Sequence, residues 1–364
     1  MGILPQYAIF LIMFYKHNDT YTVESVTSGH PDKVCDQISD AILDACLAID
    51  PKSRVAVETF GGHGKIVIGG EVTSTARVDY KKIAEEVYAS IGYKEPVDVS
   101  VHIVTQSPEI AHGVDTGGAG DQGIMYGFAT NETKEFLPKG VVLAHMLAKS
   151  LEEARTSGLI SWLRPDGKTQ VTYRDGKLVT ILVSTQHDTH VTNDEITAII
   201  SEKIIKPLIS EEEFASVKKI INPSGQFITG GFEADTGLTG RKIMVDTYGG
   251  LIPHGGGCFS GKDSTKVDRS GAYMARFAAK NIVAKGYANE CLVSVAYAIG
   301  MAEPLMIEAI DEKGNDISDL VKKHFDFRPQ AIIETLGLQK PIFKETATYG
   351  HFGKDTLPWE KIVL

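Results

Sequence analysis

Residues His254-Gly255-Gly256-Gly257-Cys258-Phe259-Ser260-Gly261-Lys262-Asp263-Ser264-Thr265-Lys266-Val267-Asp268-Arg269 decide how the chain is read. Four glycines, three cationic side chains and two carboxylates fall within sixteen positions. Glycine lets backbone N–H groups approach a ligand, lysine neutralises phosphate, and aspartate holds a metal that bridges phosphates. The stretch therefore reads as a polyphosphate site. Gly256-x-x-x-x-Gly261-Lys262 almost satisfies the phosphate-loop pattern, which needs Ser or Thr next to bind magnesium; here Asp263 follows. That pattern also needs a strand directly before the loop, whereas residues 249–257 are turn-rich and include Pro253. A P-loop-like ATPase or kinase is the alternative these residues leave open.

The rest of the composition narrows the class. At 364 residues the chain is long enough for two or three domains, and 43% apolar with 23% charged residues is ordinary for a globular protein. A formal net charge of -10 argues against a general nucleic-acid binder and makes the cationic stretch a local feature on an acidic background. Cys35, Cys46, Cys258 and Cys291 form no C-x-x-C pair and no disulfide framework, so reduced thiols and a cytoplasmic location are expected. The apolar run at residues 7–15 is too short to span a bilayer and lacks the flanks of a signal peptide, so no membrane association is expected.

Taken in order, Ser28-Gly29-His30-Pro31-Asp32-Lys33 reads as a helix entry, with the cap at Ser28 or Gly29 and Pro31 in the first turn. Asp32, Asp36, Asp40 and Asp44 follow at intervals of four. Like charges so spaced repel by ~0.2–0.5 kcal/mol per pair, and the expectation for Asp36 to Asp44 is a solvated acidic face. Asp32 stands apart because it lies beside His30 at a helix N-terminus, where phosphates and metals bind. Residues 55–60 and 65–73 predict a hairpin across Gly61-Gly62-His63-Gly64, with Glu58 and Glu71 breaking apolar strands as ligand or salt-bridge candidates. Further helices are expected at 80–91, 138–155, 193–209 and from 270 to Gly286. Strands are expected at 97–105, 170–174, 178–186, 226–228, 242–246 and 291–299, with a turn at Arg164-Pro165-Asp166-Gly167-Lys168. The glycine-rich segment 106–120 reads as either a disordered connection or a working lid. His187 and His190 lack clustered co-ligands and read as surface or satisfied histidines. Strand, loop and helix recur three times, with comparable endings at residues 69–73, 184–187 and 246–250, which suggests a triplicated α/β unit.

Gly29-His30-Pro31-Asp32-Lys33, Gly118-Ala119-Gly120-Asp121-Gln122-Gly123, Thr239-Gly240-Arg241-Lys242, the opening stretch and Tyr349-Gly350-His351-Phe352-Gly353 together resemble methionine adenosyltransferase, the S-adenosylmethionine synthetase family. The resemblance runs in order over residues 21–361. It implies synthesis of S-adenosylmethionine from ATP and L-methionine by displacement at ribose C5′, followed by hydrolysis of tripolyphosphate to phosphate and diphosphate. The methionine thioether is a neutral nucleophile, so no general base is needed. The rate must come from alignment and from stabilising the triphosphate leaving group.

Residue by residue, the resemblance makes His30 a contact to the leaving oxygen and Asp32 and Asp268 magnesium ligands, with two Mg2+ expected per site. Glu58 matches a K+ ligand, with one K+ expected per subunit. Asp166, Gly167, Lys168, Gln226, Phe227, Asp235, Arg241, Lys242, Cys258 and Lys262 match ATP positions. Glu71, Gln106, Asp235 and Lys266 match methionine contacts, and Asp121 matches an active-site aspartate. His30, Lys168, Lys242, Lys262 and Asp121 are the catalytic candidates. The resemblance also implies three intertwined, pseudo-threefold-related α/β domains and an obligate homodimer with shared sites, often paired into a homotetramer. The expected division is an extension at 1–20, an N-terminal domain at 21–107, a lid at 108–120, a central domain at 121–228 and a C-terminal domain at 229–364.

Three positions depart from the family pattern. Gln226 replaces a basic residue, Phe232 a proline, and Cys258 a small alanine-like residue. Gln226 is the feature that would favour a non-catalytic nucleotide-binding pseudoenzyme. The family motif also starts close to Met13, which is therefore a candidate translation start.

Overall fold

A computed structural model describes residues 20–105 and 117–364. The apolar run, Met13, Gln106 and most of the expected lid lie outside the described residues. The strands are β1 (Thr20–Val26), β2 (Arg54–Gly62), β3 (Lys65–Thr73), β4 (Asp98–Val104), β5 (Gly123–Thr130) and β6 (Leu163–Arg174). β7 (Lys177–His187), β8 (Lys218–Ile221), β9 (Gly237–Leu238), β10 (Glu290–Tyr297) and β11 (Met306–Asp311) complete them. The long helices are α1 (Pro31–Ile49), α2 (Tyr80–Ile91), α3 (Lys139–Thr156) and α4 (Val267–Ala284).

These strands make three sheets, ordered β9-β2-β3-β4, β1-β6-β7-β8 and β5-β10-β11. Each is built on an antiparallel pair: β2 with β3, β6 with β7, β10 with β11. The first two pairs turn through His63-Gly64 and Asp175-Gly176, whose φ values of 50°, 75°, 48° and 74° are those of the hairpin turn that follows strand twist. In each sheet the strand beside the first hairpin strand comes from elsewhere in the chain. β9 joins the N-terminal hairpin, β1 the middle one and β5 the last. The exchange is cyclic, and α1, α3 and α4 precede the three hairpins in matching order. The result is three intertwined α/β units, and the triplication is clearer in this topology than in the strand endings that suggested it. Residues 246–250 are no strand.

Local differences have physical causes. Residues 242–246 form a short helix, Ile243–Asp246, and 226–228 form a loop. Residues 164–168 lie inside β6 rather than in a turn, with a register shift between Leu163 and Gly167 that absorbs Pro165. The helix from Asn193, capped by reciprocal Thr192–Glu195 bonds, ends at Ile200; a π turn and a 3-10 turn carry the chain to Leu208.

One core joins α1, α2 and α4 to two sheets, and a second packs α3 against β1, β6 and β7. In the second, His145 of α3 binds the Ser25 hydroxyl through Nδ1 at 2.8 Å. Burial, helped by Lys354 and Lys33, pushes its pKa down to about 3. A histidine with a depressed folded pKa stabilises the protein above the unfolded value near 6.5, and that stability is lost as pH falls. His145→Gln should therefore flatten the fall of unfolding free energy below pH 6.5 by up to about 1.4 kcal/mol per pH unit, measured by denaturant titration at several pH values.

Candidate active site

The site is built on α1. Its cap is His30, one residue later than Gly29 and two later than Ser28, with Nδ1 accepting from the Asp32 N–H at 3.2 Å. The acidic series on this helix is not a solvated face: Asp32, Asp36 and Asp40 are buried, and each is held by specific partners. Lys242 Nζ reaches Asp32 at 2.5 Å, and the Leu238 N–H binds its other oxygen at 3.0 Å. Lys33 Nζ binds Asp36 at 2.9 Å and also Asp246, while the Gly240 N–H donates to Asp36 at 2.8 Å. Asp44 accepts from the Phe343 and Lys344 N–H groups at 3.0 and 2.8 Å. Buried, a carboxylate needs such partners, and their number overrides like-charge repulsion along the helix.

Asp40 organises the stretch 254–269. Arg269 donates to it from both terminal nitrogens at 2.7 and 2.8 Å, and the Gly261 N–H donates at 2.8 Å. Arg269 also holds the Lys262 carbonyl at 3.1 Å, Tyr273 Oη at 2.9 Å and Thr346 Oγ1 at 3.0 Å. The loop thus closes around one carboxylate and runs along β2, where the Val57 N–H donates to the Gly261 carbonyl at 3.0 Å. Gly261 has φ of 79°, and a Cβ there would lie 1.9 Å from the Val57 carbonyl oxygen. Asp263 accepts from the Val55 N–H at 2.7 Å and from Lys266 Nζ at 2.5 Å. It is a buried bolt, where a P-loop would present a magnesium-binding hydroxyl. No strand precedes the loop, and α4 begins only at Val267. The geometry therefore does not support the P-loop alternative.

Two groups of functional candidates result. The first surrounds His30. The Thr27 N–H binds the Gly167 carbonyl at 3.0 Å and Val26 pairs with Lys168, which brings Asp166, Gly167 and Lys168 beside the cap. Lys242 sits on Asp32 with Arg241 Nε at 3.5 Å from the same carboxylate. Burial, then Lys242, Lys168, Lys33 and Arg241, drive the His30 pKa down to about 2. His30 is thus a neutral imidazole among cations. Its Nδ1 accepts a hydrogen bond, so its proton lies on Nε2. Asp166, buried and bonded by the Gly231 N–H at 2.9 Å, is pushed up to about 6 by burial. His187 is the satisfied histidine expected: its Nε2 accepts from the Phe227 N–H at 3.0 Å, which pins the 226–228 loop. Gln226 and Asp235 are exposed.

The second group surrounds Lys262, whose Nζ is 2.6 Å from Asp268 Oδ2. Burial opposes its charge, but Cys258, Asp268 and Asp121 together hold its pKa above the ordinary value. Cys258 is half-buried; burial raises its thiol pKa, against the pull of Lys262. Gly257 permits the closest approach: a Cβ there would meet Asp268 Oδ1 at 2.1 Å. Gly257→Ala should displace that carboxylate and lower activity by about tenfold or more with little change in Tm, measurable by steady-state kinetics and thermal denaturation. Glu58 does not face the core. It is exposed and Glu71 half-exposed, both on the open face of their sheet. Glu71 pairs across with Ala56, which in turn bridges to Lys262. Among the described residues no hydrogen bond or ion pair joins a member of one group to a member of the other. Gln106 lies outside the described residues.

Phe232, a departure from the family pattern, is buried and stacks on Tyr88 with ring centroids 5.6 Å apart. The supports Lys33, Asp36, Asp40, Asp246 and Arg269 had no expected role in the site, Asp36 and Asp40 having been expected on a solvated face. Their signal was the four-residue acidic spacing together with the cations of the opening stretch.

A neutral histidine ringed by cations and a second lysine–aspartate group, carried on three strand-exchanged α/β units, are groups of the kind that bind polyphosphate. The chain belongs to the S-adenosylmethionine synthetase family: its N-terminal, central and C-terminal domains match residues 18–112, 116–227 and 229–361. It is 50% identical over 380 aligned positions to an S-adenosylmethionine synthase of Pseudothermotoga lettingae, covering 94% of this chain and 96% of the relative. It is 49% identical over 365 positions to S-adenosylmethionine synthase 1 of Rhodospirillum rubrum, covering 93% and 95%.

Proposed function

We propose that this chain carries out its family's reaction, S-adenosylmethionine synthesis from ATP and L-methionine, with the His30 group of one copy facing the Lys262 group of a second. As a member of the family it is a methionine adenosyltransferase. The observation that carries the site assignment is His30 itself, neutral, with Nε2–H available beside Lys168, Arg241 and Lys242.

The methionine sulfur attacks C5′ as the C5′–O bond breaks, and charge gathers on the bridging oxygen. His30 donates from Nε2 to that oxygen, while Lys168, Lys242 and Lys262 stabilise the triphosphate. Such preorganised donors and cations act only where charge develops, which is what accelerates the step. Arg241, Asp166, Gly167, Phe227 and Cys258 line the ATP side, with Gln226 at its exposed edge. Glu71, Gln106, Asp235 and Lys266 take methionine, Glu71 its ammonium group. Hydrolysis of tripolyphosphate to phosphate and diphosphate follows in place, with Asp121 beside Lys262.

Asp32 and Asp268 supply hard oxygen donors of the kind Mg2+ takes, since it binds through one or two carboxylates plus substrate phosphates. Bound there, two Mg2+ would neutralise triphosphate charge. Glu58 would take one K+ per subunit.

Support for the homodimer is the open face of the β9-β2-β3-β4 sheet, where Phe60 is 43% and Val104 62% exposed beside Glu58 and Glu71. We propose a homodimer, paired into a homotetramer, in the cytoplasm. The free state of Cys35, Cys46, Cys258 and Cys291 supports that location. Among the described residues no helix is long and apolar enough to cross a membrane. We also propose the division at 21–107, 108–120, 121–228 and 229–364, with the lid between the first two domains.

Incubation with ATP, methionine, Mg2+ and K+ tests the reading. Equal phosphate and diphosphate, formed only with methionine, is expected. ADP release would favour a kinase or ATPase, and neither product a binding role. Because His30 is neutral in the free protein, kcat/KM should show no acidic limb near pH 6.5 that His30→Asn removes; pH–rate profiles of both proteins check this.

A further inference from the structure

The loop that carries His30 is held by the other two units. Ser28 Oγ donates to Glu152 Oε1 of α3 at 2.5 Å, and Tyr349 Oη donates to Glu152 Oε2. The same Tyr349 oxygen accepts from the Ser28 N–H at 3.3 Å. These bonds close a ring from the first unit through the second and third, two residues before His30. Tyr349 adopts a left-handed φ of 56°, a conformation disfavoured for a tyrosine, which the surrounding contacts must enforce. Its hydroxyl stays protonated and able to donate, because burial and the Glu152 charge hold its pKa well above the ordinary value. The loop is anchored independently by Gln37 Nε2 on the Ser28 carbonyl at 2.7 Å and by Tyr93 Oη on the Gly29 carbonyl at 2.6 Å. Loss of the ring would therefore shift the loop rather than unfold it.

We infer that Tyr349 and Glu152 are positioning residues that set where His30 Nε2 points. This rests on the proposed role of His30 at the leaving oxygen, a role confined to C5′–O cleavage. A displaced His30 then slows S-adenosylmethionine formation and leaves hydrolysis of supplied tripolyphosphate intact. A merely structural defect would lower both.

The test measures both half-reactions and Tm in Tyr349→Phe, Glu152→Gln and His30→Asn. Tyr349→Phe should lower kcat for S-adenosylmethionine formation about tenfold or more, with KM for methionine and tripolyphosphate hydrolysis within about twofold of the unsubstituted enzyme. Glu152→Gln should split the two activities in the same direction. If His30→Asn shows the split and Tyr349→Phe leaves formation unchanged, or lowers both activities together, the inference is overturned. If His30→Asn itself lowers both equally, the role of His30 is wrong and this inference falls with it.

Discussion

Lys262→Ala is expected to lower kcat by about 10²–10³-fold, with the KM values for ATP and methionine changing far less. Lys262 lies in the second group, with its ammonium on Asp268 and the Asp121 charge nearby. In the free protein that cation is already paired. Its value in catalysis comes when the triphosphate leaves and fresh negative charge must be met in a site poor in water. Removing one preorganised partner of developing charge costs ~2.7–4 kcal/mol of transition-state stabilisation, which is the predicted loss. Ground-state binding is spread over several cations, so KM depends little on one of them. A variant with unchanged turnover would contradict the placement of Lys262 on the leaving group.

The largest stability effect is expected from Asp40→Ala. Arg269 and Asp40 are both fully buried, and their paired hydrogen bonds are joined by the Gly261 N–H. Taking away one partner leaves a buried guanidinium without its counter-charge, a loss of about 3–5 kcal/mol. Denaturant unfolding should show that loss as a lower midpoint with an unchanged slope. Activity should fall as well, because the carboxylate closes the Lys262 loop against β2. Arg269→Leu, which leaves Asp40 as the uncompensated ion, should be comparably destabilised. If either variant kept its unfolding free energy within about 1 kcal/mol, the loop would have another anchor.

Much of the chemistry was legible before the fold was. His30, Asp32, Lys242, Lys262 and Asp268 stand at positions where a polyphosphate site needs hydrogen-bond donors and charge, and the blocks that include Gly29–Lys33, taken together and in order, carry the family resemblance. Burial was less legible. Asp36, Asp40 and Asp44 are four apart, the pattern of a solvated face; Lys33 one turn away on α1 and the arrival of Gly240 and Arg269 from distant segments make Asp36 and Asp40 interior groups, and the Phe343 N–H holds the half-buried Asp44. Glu58 misled the other way, because alternation along β2 does not say which sheet face is covered. Short elements failed where tertiary contacts set the backbone. The Gln226–Ile228 segment has strand-like residues but is held as a loop by His187, and Ile243–Asp246 coils so that Asp246 can reach Lys33. The cyclic strand exchange could not be read from order along the chain at all, since β1, β5 and β9 pair with hairpins far away in sequence.

The claim on which the account depends is that His30 and Lys262 meet across two copies of the chain. A hybrid dimer carrying His30→Asn in one subunit and Lys262→Ala in the other tests it directly. Two-fold symmetry then places both substitutions in one site and leaves the other whole. Each substituted homodimer should be nearly inactive, and the purified hybrid should regain about half the activity of the unsubstituted dimer. A hybrid as inactive as its parents would show that both residues serve the same chain's site, and would contradict the account.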